Sequence, residues 1–231
     1  MRSVSTKFSK YQVATAVAVL FHTIGFAGIV FFKSNFIIQS TPFNLLLMFA
    51  LLVWTQREKN LFFWLFVLVT FAVGIAVEII GVNTQLLFGD YSYGKVLGYQ
   101  VNNVPVIIGI NWFLIIYCCG ITVQTILMKA ITKVATETST PPMVLKALSV
   151  IVDGATLAVF IDWIMEPVAV QLGYWKWNGD IPVYNYICWF VVAIAMLAVF
   201  HFCKFNKQNK FAVHLLMIQV LFFLLLRTFL N

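Results

Sequence analysis

The sequence predicts an all-α, polytopic membrane protein, and three observations carry that prediction. The 231 residues are 62% hydrophobic and only 10% charged, with a mean hydropathy of +0.95, whereas a soluble domain carries about a quarter charged residues. Apolar runs of roughly 20 residues, the length that crosses a bilayer as a helix, recur along the whole chain. Charges and prolines collect between those runs. Lipid cannot satisfy the backbone groups of an open strand, so the spans must be helices. Seven spans fill the chain and leave no room for a second soluble domain, so residues 1–231 form a single integral membrane domain.

In order, the spans lie near 11–32, 36–54, 61–82, 104–128, 143–165, 183–203 and 211–230. Basic residues precede the first, but no small-residue cleavage site follows it, so it is expected to be retained. The second is interrupted by Gln39, Pro42 and Asn44. Pro42, Pro105, Pro141, Pro142, Pro167 and Pro182 are all expected in loops or first turns, where a missing N–H does no harm.

Lys and Arg set the orientation. Arg2, Lys7, Lys10, Arg57, Lys59, Lys129, Lys133, Lys146, Lys204, Lys207 and Lys210 fall on one side of the seven spans, and only Lys33, Lys95, Lys176 and Arg227 on the other. This bias predicts a cytoplasmic N-terminus and a C-terminus outside. The net charge of +7 is thus spent on topology, and no dense basic cluster points to nucleic acid. Cys118, Cys119, Cys188 and Cys203 lie in apolar runs without C-x-x-C spacing and read as small buried residues. His22, His201 and His214 are scattered over three spans without ligand spacing, so no metal site is expected.

The central signal is a repeat. Glu78 precedes Gly89 by eleven positions, aromatics follow at Tyr91 and Tyr93, and Pro105 precedes Trp112 by seven. Asp162 likewise precedes Gly173 by eleven, Trp175 and Trp177 follow at the same offsets, and Pro182 precedes Trp189 by seven. The segment between aromatics and proline is longer in the first copy. The units, about 61–128 and 143–203, both start on the same side of the membrane. They are therefore parallel repeats, expected to be related by a pseudo-two-fold axis along the membrane normal. That axis would face Glu78 and Asp162 across one cavity. Glu166, four residues after Asp162, shares its helix face if the helix continues so far. Asp153 is about half a turn out of phase and should point elsewhere.

Acids near a membrane interior are functional candidates by default. Glu78, Asp162 and Glu166 are therefore the candidate catalytic residues. Tyr91, Tyr93, Trp112, Trp175, Trp177 and Trp189 are candidate substrate-binding aromatics, their fixed offsets from glycine setting them apart from an ordinary interfacial belt. Asn83, Asn111 and Asn185 are candidate polar anchors for water or loop backbone, Asn83 and Asn185 being assigned to the substrate site. Asp90 and Asp180 read as turn residues, and Gly89 and Gly173 as points where the backbone turns.

These residues resemble a known family. Glu78, Gly81-Val82-Asn83-Thr84, Phe88-Gly89, Tyr91 and Tyr93, followed by Val104-Pro105 and Asn111-Trp112, are similar to the bacterial and archaeal carotenoid biosynthesis membrane proteins. These include the carotenoid 1,2-hydratases and bisanhydrobacterioruberin hydratases. Asp162, Glu166-Pro167, Gly173, Trp175 and Trp177, followed by Pro182, Asn185-Tyr186 and Trp189, resemble the same family. Where that family usually carries Asp before the proline, this chain has Glu166. The resemblance implies addition of water to the terminal double bond of an acyclic carotene, giving a tertiary alcohol. It implies a lipophilic carotene substrate, a bacterial plasma membrane, other carotenoid biosynthesis enzymes as candidate partners, and no cofactor.

The residues suit that chemistry. An isolated alkene needs a strong proton donor, and a carboxylic acid kept neutral by an apolar pocket is one. A second, ionised carboxylate can orient water and stabilise positive charge. Aromatic faces within about 6 Å of a cation add ~0.5–2 kcal/mol each. Either Glu78 or Asp162 could be the donor. A carotenoid cyclase begins with the same protonation, and a non-catalytic carotenoid-binding or transport protein would need only the apolar walls. A retinal protein needs a lysine in its last span, and residues 211–230 contain none. Broken helices with polar residues at mid-depth would mark a transporter, and only Asp153-Gly154 hints at one. Reporter fusions at the two ends should place the N-terminus inside and the C-terminus outside. Both on one side would mean that a span, first of all 36–54, does not cross.

Overall fold

The computed structural model describes residues 8–134 and 143–230. Arg2, Lys7, Pro141 and Pro142 lie outside them. Among the described residues there are eight helices, α1 Lys10–Val30, α2 Asn35–Gln39, α3 Thr41–Thr55, α4 Leu61–Thr84, α5 Ile107–Val134, α6 Met143–Gln171, α7 Val183–Phe202 and α8 Lys210–Leu230. Six of them are long and apolar enough to cross a membrane. The chain is thus an all-α, multi-pass membrane fold.

The expected span 36–54 is two helices. Pro42 sits in the first turn of α3 and has no N–H for the carbonyl of Ile38. Thr41 Oγ1 donates to that carbonyl instead, at 2.8 Å, and Ser40 Oγ donates to Ile37 O at 2.7 Å. With its terminal carbonyls satisfied by hydroxyls, α2 ends and α3 begins afresh. The 15 residues of α3 rise about 22 Å, short of a hydrocarbon core of about 30 Å.

The expected spans 104–128 and 143–165 both prove longer, at 28 and 29 residues. α6 continues through Pro167 to Gln171, so this proline is inside the helix rather than in a loop. It withholds one N–H from the carbonyl of Trp163 without ending the helix. The extra turn puts Glu166 on the same helix as Asp162.

α5 is the axis of the bundle and touches α3, α4, α6, α7 and α8. Its residues Trp112 to Cys119 are buried on every side, as expected of a helix that is hydrophobic all round. Cys118, Cys119, Cys188 and Cys203 are free and buried, in keeping with their reading as small core residues. α1 packs on α2, α3 and α8 at the side of the bundle.

Two short antiparallel ladders cap one end. Strand β1, Tyr91–Tyr93, pairs with β4, Trp175–Trp177. Strands β2, Gln100–Val101, and β3, Val104–Pro105, form a hairpin. Its turn is Asn102-Asn103, at φ 46° and 66°, the left-handed pair that a two-residue hairpin of this type demands and that Asn tolerates. This hairpin accounts for the longer first copy of the repeat.

The opposite end is closed by a buried polar cluster. Asn209 Nδ2 donates to Leu52 O, Thr55 Oγ1 and Tyr117 Oη, and Asn209 Oδ1 accepts from Phe211 N. Tyr117 Oη donates in turn to Gln56 Oε1 at 2.6 Å, and Gln56 Nε2 to Asn206 O at 2.7 Å. These bonds tie α3, α5 and the α7–α8 connection together. Each buried polar group left without its partner costs about 1–3 kcal/mol. Asn209→Ala should therefore lower the thermal unfolding temperature of the purified protein, and Lys204→Ala, exposed nearby, should not.

Candidate functional site

α4 buries one stripe, Phe63, Phe66, Thr70, Gly74, Glu78 and Gly81, at helical spacing against the bundle. Glu78 is the only charged residue on it. α6 presents Asp162 and Glu166 one turn apart, as the continued helix requires. The three carboxyls are 5%, 1% and 3% exposed and line one cavity.

The ladder explains the aromatic spacing. In a strand, alternate side chains share a face. Tyr91 and Tyr93, and opposite them Trp177 and Trp175, all point down onto the carboxyls, while the central pair Ser92 and Lys176 points away. Tyr91 Oη and Tyr93 Oη donate to Glu78 Oε2 at 2.5 and 2.8 Å, and Trp112 Nε1 donates to Glu78 Oε1 at 3.0 Å. Trp175 Nε1 and Trp177 Nε1 both donate to Glu166 Oε2 at 2.9 Å. Asn185 Nδ2 donates to Asp162 Oδ2 at 2.9 Å and, more weakly, to Glu166 Oε1 at 3.4 Å. Burial, then the charge and hydrogen bond of Glu78, push the Tyr91 phenol far above its ordinary range, with Glu166 and Asp162 adding to the effect. Burial first, and then Glu78, do the same to Tyr93. Both phenols therefore remain donors at neutral and moderately alkaline pH.

A local two-fold axis runs through the ladder. Its register is symmetric about Ser92 and Lys176. Trp112 and Trp189, which follow the two prolines at equal distance, stack on each other at 3.8 Å and 15°. The acids break this symmetry. Glu78 and Asp162 occupy matching sequence positions, yet the donors of the second strand serve Glu166. The reason lies in the residue types: the position of the first copy that matches Glu166 is Val82, which also lies within its helix, so only the second copy has an acid one turn nearer the ladder.

Gly89 and Gly173 turn the chain into the ladder at φ +123° and +71°, as their sequence positions suggested. Gly74 acts through space. A Cβ there would lie 2.7 Å from Cβ, Cγ and Cδ1 of Trp112, so only glycine lets the indole pack flat on α4 and reach Glu78.

Of the residues singled out in the sequence, Glu78, Tyr91, Tyr93, Trp112, Asp162, Glu166, Trp175, Trp177, Asn185 and Trp189 all line the cavity, together with Asn111. Asn83 does not. It is exposed, its Nδ2 donates to Ile79 O and Asn102 O, and its Oδ1 accepts from Asn103 Nδ2, so it holds the tip of the β2–β3 hairpin. Asp153 is exposed and accepts from Ser149 Oγ, away from the cavity as its phase predicted. Asp90 accepts from Asn178 Nδ2 at 2.8 Å, a loop clamp between the two copies. His22 and His214 make separate contacts with Ala18 O and Thr15 Oγ1. The cavity also takes Phe88, which the motif carries beside Gly89, and Ile108 and Met165, which were not singled out. The repeat could have found Ile108, which stands three residues after Pro105 as Asn185 does after Pro182.

About 20 Å³ is open to the centre of a water molecule, room for about one or two waters. The fold and site thus define a multi-pass helical membrane protein whose paired repeats enclose an acidic, aromatic cavity. The sequence profile of the carotenoid biosynthesis protein family matches residues 40–231, and the chain belongs to that family. No curated protein and no solved structure matches it.

Gly74→Ala should drive Trp112 out of its seat at a cost of about 1–3 kcal/mol for overpacking. The near-ultraviolet circular dichroism from the coupled Trp112–Trp189 pair should collapse while the helical far-ultraviolet signal persists. An unchanged tryptophan signal would show that the stack does not depend on this glycine.

Proposed function

We propose that this protein is a cofactor-independent carotenoid hydratase that adds water to the terminal 1,2 double bond of an acyclic carotene. The observation that carries this is the convergence of three buried carboxyls in one cavity with room for water and with aromatic faces around it. A carboxylic acid delivers a proton to the less substituted alkene carbon. The tertiary cation forms beside carboxylate oxygens and over the Trp112–Trp189 stack, where preorganised charge and π faces stabilise it. Water then captures the cation. Tyr91, Tyr93, Trp175 and Trp177 hold the carboxyls in place and wall off bulk solvent. The cavity is large enough for water but not for an isoprenoid end, so binding of the carotene must part these walls.

The reading includes the bacterial plasma membrane as its compartment, and the six helices long and apolar enough to cross a bilayer support a membrane location. The Lys/Arg bias supports a ladder end at the non-cytoplasmic face. A cyclase would share the first step, but there a carbon–carbon double bond captures the cation, and a cavity sized for water next to the acids favours hydration.

Expression in a cell that makes lycopene or γ-carotene, followed by mass analysis of the pigments, tests the proposal. The product should gain the mass of one water, whereas a cyclised product would be an isomer. Asp162→Asn and Glu78→Gln should each abolish detectable hydration while the protein still accumulates, because loss of a positioned acid or base typically costs about 10²–10⁴ in rate. Lys176→Ala, on the outward face of the ladder, should leave activity near wild type. Near wild-type conversion by both carboxamide variants would make the acids structural.

A further inference from the structure

We infer that the proton that starts the reaction is held on Asp162, while Glu78 and Glu166 face it as carboxylates. This assignment rests on the reading of the cavity as a site of acid-initiated hydration, and it follows from how the donors are distributed. No Lys, Arg or His lines the cavity among the described residues. Three carboxyls so close together, buried and without a cation, cannot all be ionised. Hydrogen bonds donated to a carboxylate favour its charged form, so the best-served carboxyls keep their charge.

Glu78 accepts three hydrogen bonds, with both oxygens served. Glu166 accepts two indole N–H groups and the weaker share of the Asn185 amide. Asp162 accepts one, on Oδ2. Its Oδ1 is fully buried and has no partner among the described residues. Asn44 Oδ1 and Thr122 Oγ1 share that condition, but they are neutral groups outside the cavity. As a charged oxygen, Asp162 Oδ1 would bear the full cost of desolvation. As a hydroxyl it is an unengaged donor on a residue that lines the cavity. The atom where a proton costs least is therefore also the one free to give it to carbon.

The step balances without a further reagent. The O–H bond of Asp162 breaks as the alkene π pair forms a C–H bond at the less substituted carbon. The tertiary cation forms between the Glu78 and Glu166 carboxylates. A water lone pair makes the C–O bond, and the extra proton of the oxonium returns to Asp162. One water is added, and nothing is oxidised or reduced. Asn185 is a positioning residue that holds Asp162 Oδ2 so that Oδ1 faces the alkene.

Infrared spectroscopy of the purified protein at neutral pH tests this without substrate. A neutral carboxylic acid gives a carbonyl stretch that shifts on deuterium exchange. That band should move when aspartate carries ¹³C at its side-chain carboxyl, stay put when glutamate does, survive Asp153→Asn, and vanish in Asp162→Asn. Should Asp162→Asn fail to fold, the labelled protein and Asp153→Asn still assign the band. The inference is overturned by a band that moves with labelled glutamate, by one lost in Asp153→Asn, or by no exchangeable band. If the band behaves as expected but no pigment gains water, the proton assignment stands and the hydratase reading fails. If pigments gain water and the band belongs to glutamate, the hydratase reading stands and this assignment fails.

Discussion

The constraint on which the rest of the structure depends is that buried carboxyls must be given donors. Three of them sit in a membrane protein with no cation beside them among the described residues, and the chain answers with a two-stranded ladder whose inward side chains are two phenols and two indoles. The short strands have no core of their own. They are held by the glycines that turn into them, by the Asp90–Asn178 clamp, and by the hydrogen bonds that their side chains make to Glu78 and Glu166. Fold and site are therefore coupled: the carboxyls anchor the ladder, and the ladder keeps the carboxyls paired.

The two copies of the sequence repeat differ in the acids they present to the ladder. The first copy spends its donors on the acid eleven residues before glycine. The second spends them on an acid one helical turn later, which leaves Asp162 underserved. A fully symmetric site would carry two equivalent, equally solvated acids. An offset of one turn makes three unequal ones, the condition under which neighbouring carboxyls can divide acid and base roles.

The two ends of the bundle are built on opposite principles. At the end away from the ladder, Asn209, Tyr117 and Gln56 form a polar cluster that fixes α3 against α5 and the α7–α8 connection. At the ladder end a buried oxygen of Asp162 has no hydrogen-bond partner among the described residues.

The sequence by itself determined the class of fold, because hydrophobic length is a one-dimensional property and the bilayer reads it directly. It also determined which acids and aromatics belong together, because the repeat preserves offsets from glycine and proline, and strand and helix periods convert those offsets into shared faces. Only the tertiary structure decided the rest. The break at Ser40, the passage of α6 through Pro167 and the Asn102-Asn103 hairpin each depend on local hydroxyls, neighbours and backbone angles that no hydrophobic pattern encodes. Asn83 looked like a substrate anchor by proximity in sequence, and packing gave it to the hairpin. Above all, matching positions implied that Glu78 and Asp162 are counterparts, whereas hydrogen bonding pairs Glu78 with Glu166. Donors reach acceptors through space, and the second copy carries Glu166 where the first carries Val82, so its indoles meet an acid that the first copy lacks.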